Sequence, residues 1–209
     1  MDTILFRGWY CNTTYATLTQ DERYHNGMKL AQLLYNLNWT EESIAGILGN
    51  VEPESGLSPA MVEGNEYPDF IPTNAEVLAN TSFYGGLGFV QWTPGRIELV
   101  DWAENNRQQV WYDGMTQVNR FKWELENNYG WPYWSWYVGI HSPPDDCAEF
   151  FCRHYCRPAN PDATVGYRRA AGLRWYDNIH DKLHKPIDWV LYSKKQRERK
   201  ELKRRCLRM

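Results

Sequence analysis

Residues 45–59 read AGILGNVEPESGLSP, and this stretch determines how the rest of the chain is interpreted. It begins as an apolar helical segment in which Gly46 and Gly49 allow another backbone to approach closely. It then delivers the carboxyl group of Glu54 to a region rich in Gly, Pro, Asn, Ser and Thr. Partial desolvation at an apolar helix end favours the protonated form that a general acid needs. The alternative is a glutamate that merely ends a helix in solvent.

A second segment favours the catalytic interpretation. Residues 84–94 read YGGLGFVQWTP, and the three glycines allow tight turns beside a ligand. Gln91 carries a donor and an acceptor suited to sugar hydroxyl and N-acetyl groups. Tyr84 and Trp92 offer flat apolar faces with a polar handle. A phosphate-binding loop would require a lysine that this segment lacks.

Together, AGILGNVEPESGLSP and GLGFVQWTPGR (residues 86–96) resemble the phage tail lysozyme domain family, the wall-degrading tail-tip domains of short-tailed phages. Further similarities follow in one order between about Glu22 and Ile179. They are Thr116-Gln117, Phe121, Glu124-Leu125, the stretch HYCRPANP at 154–161, Arg168, Ala171 and Trp175-Tyr176. A shared order over this length makes coincidence an inadequate explanation.

The resemblance implies an α+β, predominantly α-helical, lysozyme-like fold with a loop-rich insertion that holds the cleft. It implies cleavage of the β-1,4 bond between N-acetylmuramic acid and N-acetylglucosamine in peptidoglycan. The catalytic glutamate of the family falls on Glu54, within a Glu-Ser pair completed by Ser55. The Gly-x-x-Gln element falls on Gly88 and Gln91. With Tyr84 and Trp92, these residues form the expected substrate-binding set, and no cofactor or metal is expected.

Two positions depart from the family pattern. Pro53 precedes Glu54, and Gly49 and Pro53 together weaken continuation of the helix. Cys156 stands where the family usually has a glutamate. If that glutamate ties the C-terminal helices to the core, this chain must fix them differently.

Glycosidic cleavage usually needs a second carboxylate, which the spacing does not identify. Our prediction is Asp69, and the other candidates are Glu52, Glu63, Glu66 and Glu76. An inverting hydrolase holds the two carboxyl groups ~6.5–9.5 Å apart. A lytic transglycosylase needs no such partner, because the substrate's own hydroxyl closes on the anomeric carbon.

Capping residues and apolar spacing predict a mainly helical body. Thr19 and Glu22 form a capping box before an amphipathic helix, Thr40 caps a second helix, and Thr93-Pro94 begins a third. Further helices are expected over about 113–129, 145–155 and 167–183, with loops and a short hairpin over 54–91. We predict an N-terminal segment at 1–18, a lysozyme-like catalytic domain at 19–185 and a basic tail at 186–209.

The formal net charge of −3 conceals two parts of opposite sign. Residues 194–209 hold nine Lys or Arg and two Glu, a net charge of +7, which leaves a net charge of −10 on residues 1–193. The tail could contact a virion partner, packaged DNA or an anionic wall polymer, although a solvated terminus is the simplest interpretation. The acidic body argues against a broad nucleic-acid interface.

Other signals are weaker. No apolar run approaches the ~20 residues of a membrane span, and residues 1–7 lack the pattern of a secretory signal. Cys147, Cys152 and Cys156 with His154 are expected to be core thiols rather than a metal site, because only one such cluster exists. A cysteine nucleophile paired with His141 or His180 has no supporting signature. The aromatic stretch 131–137 fits core packing better than a sugar platform.

The sequence therefore predicts a virion-associated tail lysozyme, at the tail tip or elsewhere on the tail, that locally opens the host cell wall during DNA entry. Its expected partners are peptidoglycan and other tail proteins. Lytic transglycosylase chemistry at the same bond is one alternative. A catalytically silent tail protein that keeps the lysozyme fold is another, since fold does not imply function.

Overall fold

The computed structural model describes residues 2–64, 66–107, 109–129 and 142–184. The aromatic stretch 131–137, His141 and the basic tail from residue 186 onward lie outside the described residues. The described elements, in chain order, are strands β1 (Ile4–Phe6) and β2 (Trp9–Cys11), a 3-10 turn (Tyr15–Thr17), and helices α1 (Gln20–Asn36), α2 (Glu41–Ser55), α3 (Asn74–Ala79), α4 (Trp102–Arg107), α5 (Gly114–Glu124), α6 (Pro144–Phe151) and α7 (Pro161–Ile179). Three π-helical turns, Arg96–Asp101, Leu125–Tyr129 and Cys152–Cys156, adjoin α4, α5 and α6. The predominantly helical prediction is confirmed.

Helix α2 is the centre of the molecule. Its predicted cap is confirmed, because the Thr40 side chain accepts a hydrogen bond from the backbone N–H of Ser43 at 3.2 Å. A Cβ atom on Gly46 would lie 2.7 Å from the backbone of Ala148 in α6, and one on Gly49 would lie 2.7 Å from Gly172 in α7. The two glycines thus permit the close helix packing expected from the sequence.

The end of α2 differs from expectation. The helix continues through Pro53 and ends only at Gly56, which adopts the left-handed conformation with φ 58° and donates its N–H to Glu52 O at 2.8 Å. Pro53 removes only one backbone hydrogen bond close to the helix end. Packing of α2 between α6 and α7 outweighs that loss, so Glu54 remains a helical residue.

Other helix starts were predicted with mixed accuracy. The capping box at the start of α1 is confirmed, with Glu22 Oε2 accepting from Thr19 N at 2.8 Å. The third helical segment begins at Arg96 instead of Pro94, because Thr93 Oγ1 donates to Gln91 O and does not cap the helix. Helix α7 begins at Pro161, earlier than expected, because Asn160 caps it.

The insertion after α2 contains the expected short hairpin as isolated antiparallel bridges, Val62 to Leu87 and Leu87 to Trp92. It also contains α3, which the sequence did not predict. Thr73 and Glu76 start this six-residue helix through a reciprocal capping box.

The N-terminal hairpin packs into the same body. Trp9 and Cys11 are buried in the main hydrophobic core. Beyond β2, Asn12 N donates to Ser58 Oγ at 3.0 Å and Thr13 Oγ1 donates to Tyr67 O at 2.7 Å. Residues 12 and 13 therefore lie along the insertion. The predicted domain boundaries, 1–18, 19–185 and 186–209, stay a prediction. Across the described ranges, every helix is too short or too polar to cross a membrane.

Candidate active site

Glu54 lies at the partly exposed C-terminal end of α2. Its side chain is 21% exposed, and its Oε1 accepts a hydrogen bond from Arg168 Nη2 at 2.7 Å. Arg168 comes from α7 and is itself buried. The sequence placed a carboxylate at this position, and the structure adds the guanidinium that binds it.

Arg168 is oriented by Asn50, one helical turn before Glu54. Asn50 is fully buried, and its Oδ1 accepts from Arg168 Nη1 at 2.9 Å. Its Nδ2 donates to the carbonyl groups of Gly46 and Ala148, each at 2.9 Å. A chain of hydrogen bonds thus runs from α6 through α2 to the guanidinium that holds Glu54. Sequence analysis missed Asn50, although a lone asparagine in an apolar helix, four residues before the proposed acid, is a usable signal.

Cys156 also lies near Arg168, whose positive charge acts on the thiol. Burial raises the pKa of this thiol well above its ordinary value, and the negative charge of Glu54 raises it further. Cys156 is therefore a neutral thiol at physiological pH, and it leaves Glu54 as the carboxylate that neutralises Arg168. Arg168 of α7 is thus held by two residues of α2, Asn50 and Glu54, and this contact fixes α7 to α2.

The Gly-x-x-Gln element forms a tight turn in the insertion. Gly88 has φ 76°, a conformation that favours glycine, and its N–H donates to Met61 O at 2.8 Å. Gln91 Nε2 donates to Gly88 O at 2.8 Å, so this side chain folds back on its own turn. In the free protein the Gln91 amide therefore stabilises the loop.

Gln117 in α5 supports this turn from inside the protein. The side chain is fully buried, and its Oε1 accepts from Phe89 N at 2.8 Å. Its Nε2 donates to Pro59 O at 2.6 Å and to Trp111 O at 2.9 Å. A Cβ atom on Gly88 would lie 2.5 Å from Gln117 Oε1, so the turn rests directly on this amide. The sequence indicated Gln117 only through the family resemblance.

Three of the predicted substrate-binding residues differ from one another in their exposure and in their contacts. Ser55 is fully buried, and its Oγ donates to Val51 O at 3.0 Å. Trp92 is buried, and its Nε1 donates to Glu124 Oε2 at 2.8 Å. Tyr84 is exposed, with the Arg96 guanidinium carbon 5.6 Å from its ring centroid. Substrate contact by these three residues stays a prediction. Of the two aromatic side chains, Tyr84 is the one whose ring is exposed to solvent.

Trp92 belongs to a buried polar cluster. Glu124 accepts from Trp92 and, at 2.6 Å, from the hydroxyl of Tyr155. Arg120 Nη2 lies 3.4 Å from Glu124 Oε1 and 2.8 Å from Glu98 Oε2. This cluster ties the insertion to α5 and to the π-helical turn after α6.

The candidate second carboxylates differ in their contacts. Asp69 is exposed in the insertion, and Glu63 Oε2 accepts from Gly86 N at 2.6 Å beside the hairpin. Glu66 accepts from Asn80, and Glu76 caps α3. Glu52 accepts from Trp175 Nε1 at 3.0 Å and pairs with an arginine of α7. Four of the five candidates thus accept a hydrogen bond within the protein, and the identity of the second carboxylate, with Asp69 as our choice, stays a prediction.

The cysteines of the described ranges are free thiols, with Cys11, Cys147 and Cys152 buried and Cys156 half-buried. Within those ranges, no three His, Cys, Asp or Glu side chains are grouped so that they could hold a metal ion.

A mainly helical body, with a partly exposed glutamate at the end of its central helix and a small hairpin in the insertion that follows, has the architecture of a lysozyme-like protein. The phage tail lysozyme family matches residues 25–179, and the chain belongs to this family. It is also 29% identical over 153 residues to "Morphogenesis protein 1" of Bacillus phage B103, an alignment that covers 70% of this chain and 38% of that protein. The chain is therefore a lysozyme-like phage tail protein that spans well under half the length of this relative.

Proposed function

We propose that this protein cuts the glycan strands of peptidoglycan as a virion-associated tail lysozyme, with Glu54 as the general acid on the leaving oxygen. The observation that carries the proposal is the position of Glu54, partly exposed at the end of α2 and bound by the buried Arg168. Its partners would be host peptidoglycan and other tail proteins, and its role would be to open the wall locally during DNA entry. The reaction needs no cofactor.

The ion pair constrains the mechanism. A general acid must aim its carboxyl group at the leaving oxygen of the glycosidic bond. Arg168 donates to Glu54 Oε1, and Asn50 holds Arg168 in place, so the carboxyl group keeps one orientation.

The replacement Glu54→Gln tests the assignment. It keeps the shape and an acceptor for Arg168, and it removes the transferable proton. We expect digestion of purified cell walls to fall by at least about 100-fold, since general acid catalysis contributes about 10²–10⁴-fold. Glu98→Gln is the matched control, because it also removes an ion-paired carboxylate and should leave digestion unchanged. Wild-type digestion by a folded Glu54→Gln protein would refute the role of Glu54.

The products distinguish the two chemistries. Hydrolysis leaves reducing ends and transglycosylation leaves 1,6-anhydro ends, which differ by one water in mass. If reducing ends form, Asp69→Asn and Glu63→Gln identify the partner carboxylate as the variant that loses digestion. If both variants stay active and anhydro ends form, the chain is a lytic transglycosylase.

A second candidate function is a catalytically silent tail protein, since the phage B103 relative is named a morphogenesis protein and that name states no catalytic activity. Failure of the wild-type chain to digest walls from any tested host would support it.

The basic tail is proposed as a separate polyanion contact. Deletion of residues 194–209 should abolish binding to DNA or anionic wall polymer and leave wall digestion unchanged.

A further inference from the structure

The segment between β2 and α1 lies outside the family match, yet it packs against the insertion and against the residue that ends α2. The match begins at residue 25, whereas the 3-10 turn covers Tyr15–Thr17. Val62 N donates to Thr13 O at 3.4 Å, and this contact adds to those that anchor the segment along the insertion. The N-terminal part of the chain thus packs along the insertion, next to the end of α2.

Tyr15 lies where this N-terminal segment meets the end of α2. Its Cδ2 and Cε2 atoms lie 3.1 and 3.3 Å from the position that a Cβ atom on Gly56 would take. Gly56 ends α2 two residues after Glu54, so one edge of the tyrosine ring packs against the end of the catalytic helix. The Arg23 guanidinium carbon lies 5.9 Å from the ring centroid, and 40% of Tyr15 remains exposed. A large, partly apolar and partly exposed side chain is thereby fixed against the residue that ends α2, two positions along the chain from Glu54.

A second exposed tyrosine borders the same ion pair. Tyr167 precedes Arg168 in α7, and the Arg168 guanidinium carbon lies 5.7 Å from the Tyr167 ring centroid. That guanidinium is the group bound to Glu54. One aromatic ring from the N-terminal segment thus contacts Gly56, and one from α7 lies near Arg168, the partner of Glu54.

We propose that Tyr15 is a substrate-binding residue whose exposed ring stacks on a pyranose ring of the glycan strand next to the bond that Glu54 cleaves. This inference rests on the proposed function and names a subsite for it. The face of an aromatic ring carries partial negative charge and an apolar surface, which complements the C–H groups on the face of a pyranose. Fixation of the ring against Gly56 lowers the ordering cost of binding.

The test is steady-state kinetics on soluble glycan fragments of peptidoglycan. Tyr15→Leu keeps apolar cover over Gly56 and removes the flat ring. It should raise KM about three- to tenfold, the range expected for loss of one aromatic contact. Its kcat should stay within about twofold, because Tyr15 touches neither the reacting bond nor its proton. Tyr15→Phe should behave as the wild type. Tyr24→Ala is the matched control, since Tyr24 is 41% exposed but stacks on Trp175.

Binding in a Glu54→Gln background separates this inference from the proposed function. Co-sedimentation with purified walls should weaken by a similar factor when Tyr15→Leu is added to Glu54→Gln. An unchanged KM and unchanged co-sedimentation overturn the role of Tyr15, even if the wild type cuts walls. A lower kcat in proportion to a lower melting temperature, with KM unchanged, shows a purely structural role and overturns it as well. A wild type that cuts no wall refutes the proposed function, and the co-sedimentation assay still decides whether Tyr15 binds glycan.

Discussion

Replacing Gln117 with leucine should destabilise the protein and loosen the Gly88–Gln91 turn. The buried amide of Gln117 makes three hydrogen bonds, to Phe89 N, Pro59 O and Trp111 O. Leucine has a similar volume and no polar atoms. The substitution therefore removes the polar contacts with little change in packing.

The magnitude follows from the groups left without partners. The buried Phe89 N–H, which has a single hydrogen to donate, costs about 1–3 kcal/mol when it loses its partner, and the two carbonyl groups lose a hydrogen bond worth about 1 kcal/mol each. Burial of the leucine returns about 1 kcal/mol of apolar transfer energy. The expected net loss is about 2–4 kcal/mol in the free energy of unfolding. At about 2–4 °C per kcal/mol for a chain of this length, the melting temperature should fall by roughly 5–15 °C.

The assay is equilibrium unfolding in urea followed by tryptophan fluorescence, with hydrogen exchange of the Phe89 amide as the local readout. Lys122→Leu is the control, because Lys122 lies on the same helix with a half-exposed side chain and should change stability by no more than about 0.5 kcal/mol. If Gln117→Leu loses less than about 1 kcal/mol and Phe89 exchange is unchanged, the amide does not hold the turn and the reasoning is wrong.

Three further predictions concern other parts of the structure. Gly88→Ala should cost at least about 1 kcal/mol in urea unfolding, because alanine strains a backbone at φ 76° and its Cβ would meet the Gln117 amide; an alanine variant as stable as wild type contradicts this. Burial, with a smaller effect of nearby carboxylates, raises the pKa of Cys11 and of Cys147 to about 12, so iodoacetamide at pH 8 should label both only after unfolding, as peptide mass mapping can check. A hydrogen bond to Glu41 raises the pKa of His180 above its ordinary 6.5, so this pair should stabilise the protein below pH 6.5 and lose its effect as pH rises through the folded-state value. The melting temperatures of wild type and His180→Gln should therefore converge as pH rises, and a gap that widens refutes the pairing.

The parts of the fold that the sequence predicted depend on local chemistry. Thr19 with Glu22, and Thr40, are capping residues whose hydrogen bonds close within three positions of the chain, so the starts of α1 and α2 could be predicted. Gly46 and Gly49 signalled close packing before any partner helix was known. The position of Glu54 followed from the same stretch.

The parts that the sequence did not predict depend on contacts distant in the chain. The side-chain direction of Trp92 is set by Glu124, 32 residues away, whereas the flat ring and its polar N–H suggested a substrate contact. Continuation of α2 through Pro53 depends on packing against α6 and α7, which a single-segment analysis does not include. Asn50 escaped notice because its partners, Arg168 and Ala148, lie on other helices.

Two buried polar networks position the two halves of the proposed active site. Asn50 and Arg168 hold Glu54 at the end of α2, and Gln117 holds the Gly88–Gln91 turn. Each network is rooted in helices that substrate does not need to touch. The first ends on the partly exposed Glu54, and the second ends on the buried Phe89 N–H within the turn. A buried hydrogen bond is lost at a cost of 1–3 kcal/mol, about 5- to 150-fold in a conformational equilibrium. Substitutions at Asn50 or Gln117 should therefore reduce catalysis by misplacing Glu54 or the turn, even though neither residue would contact the glycan.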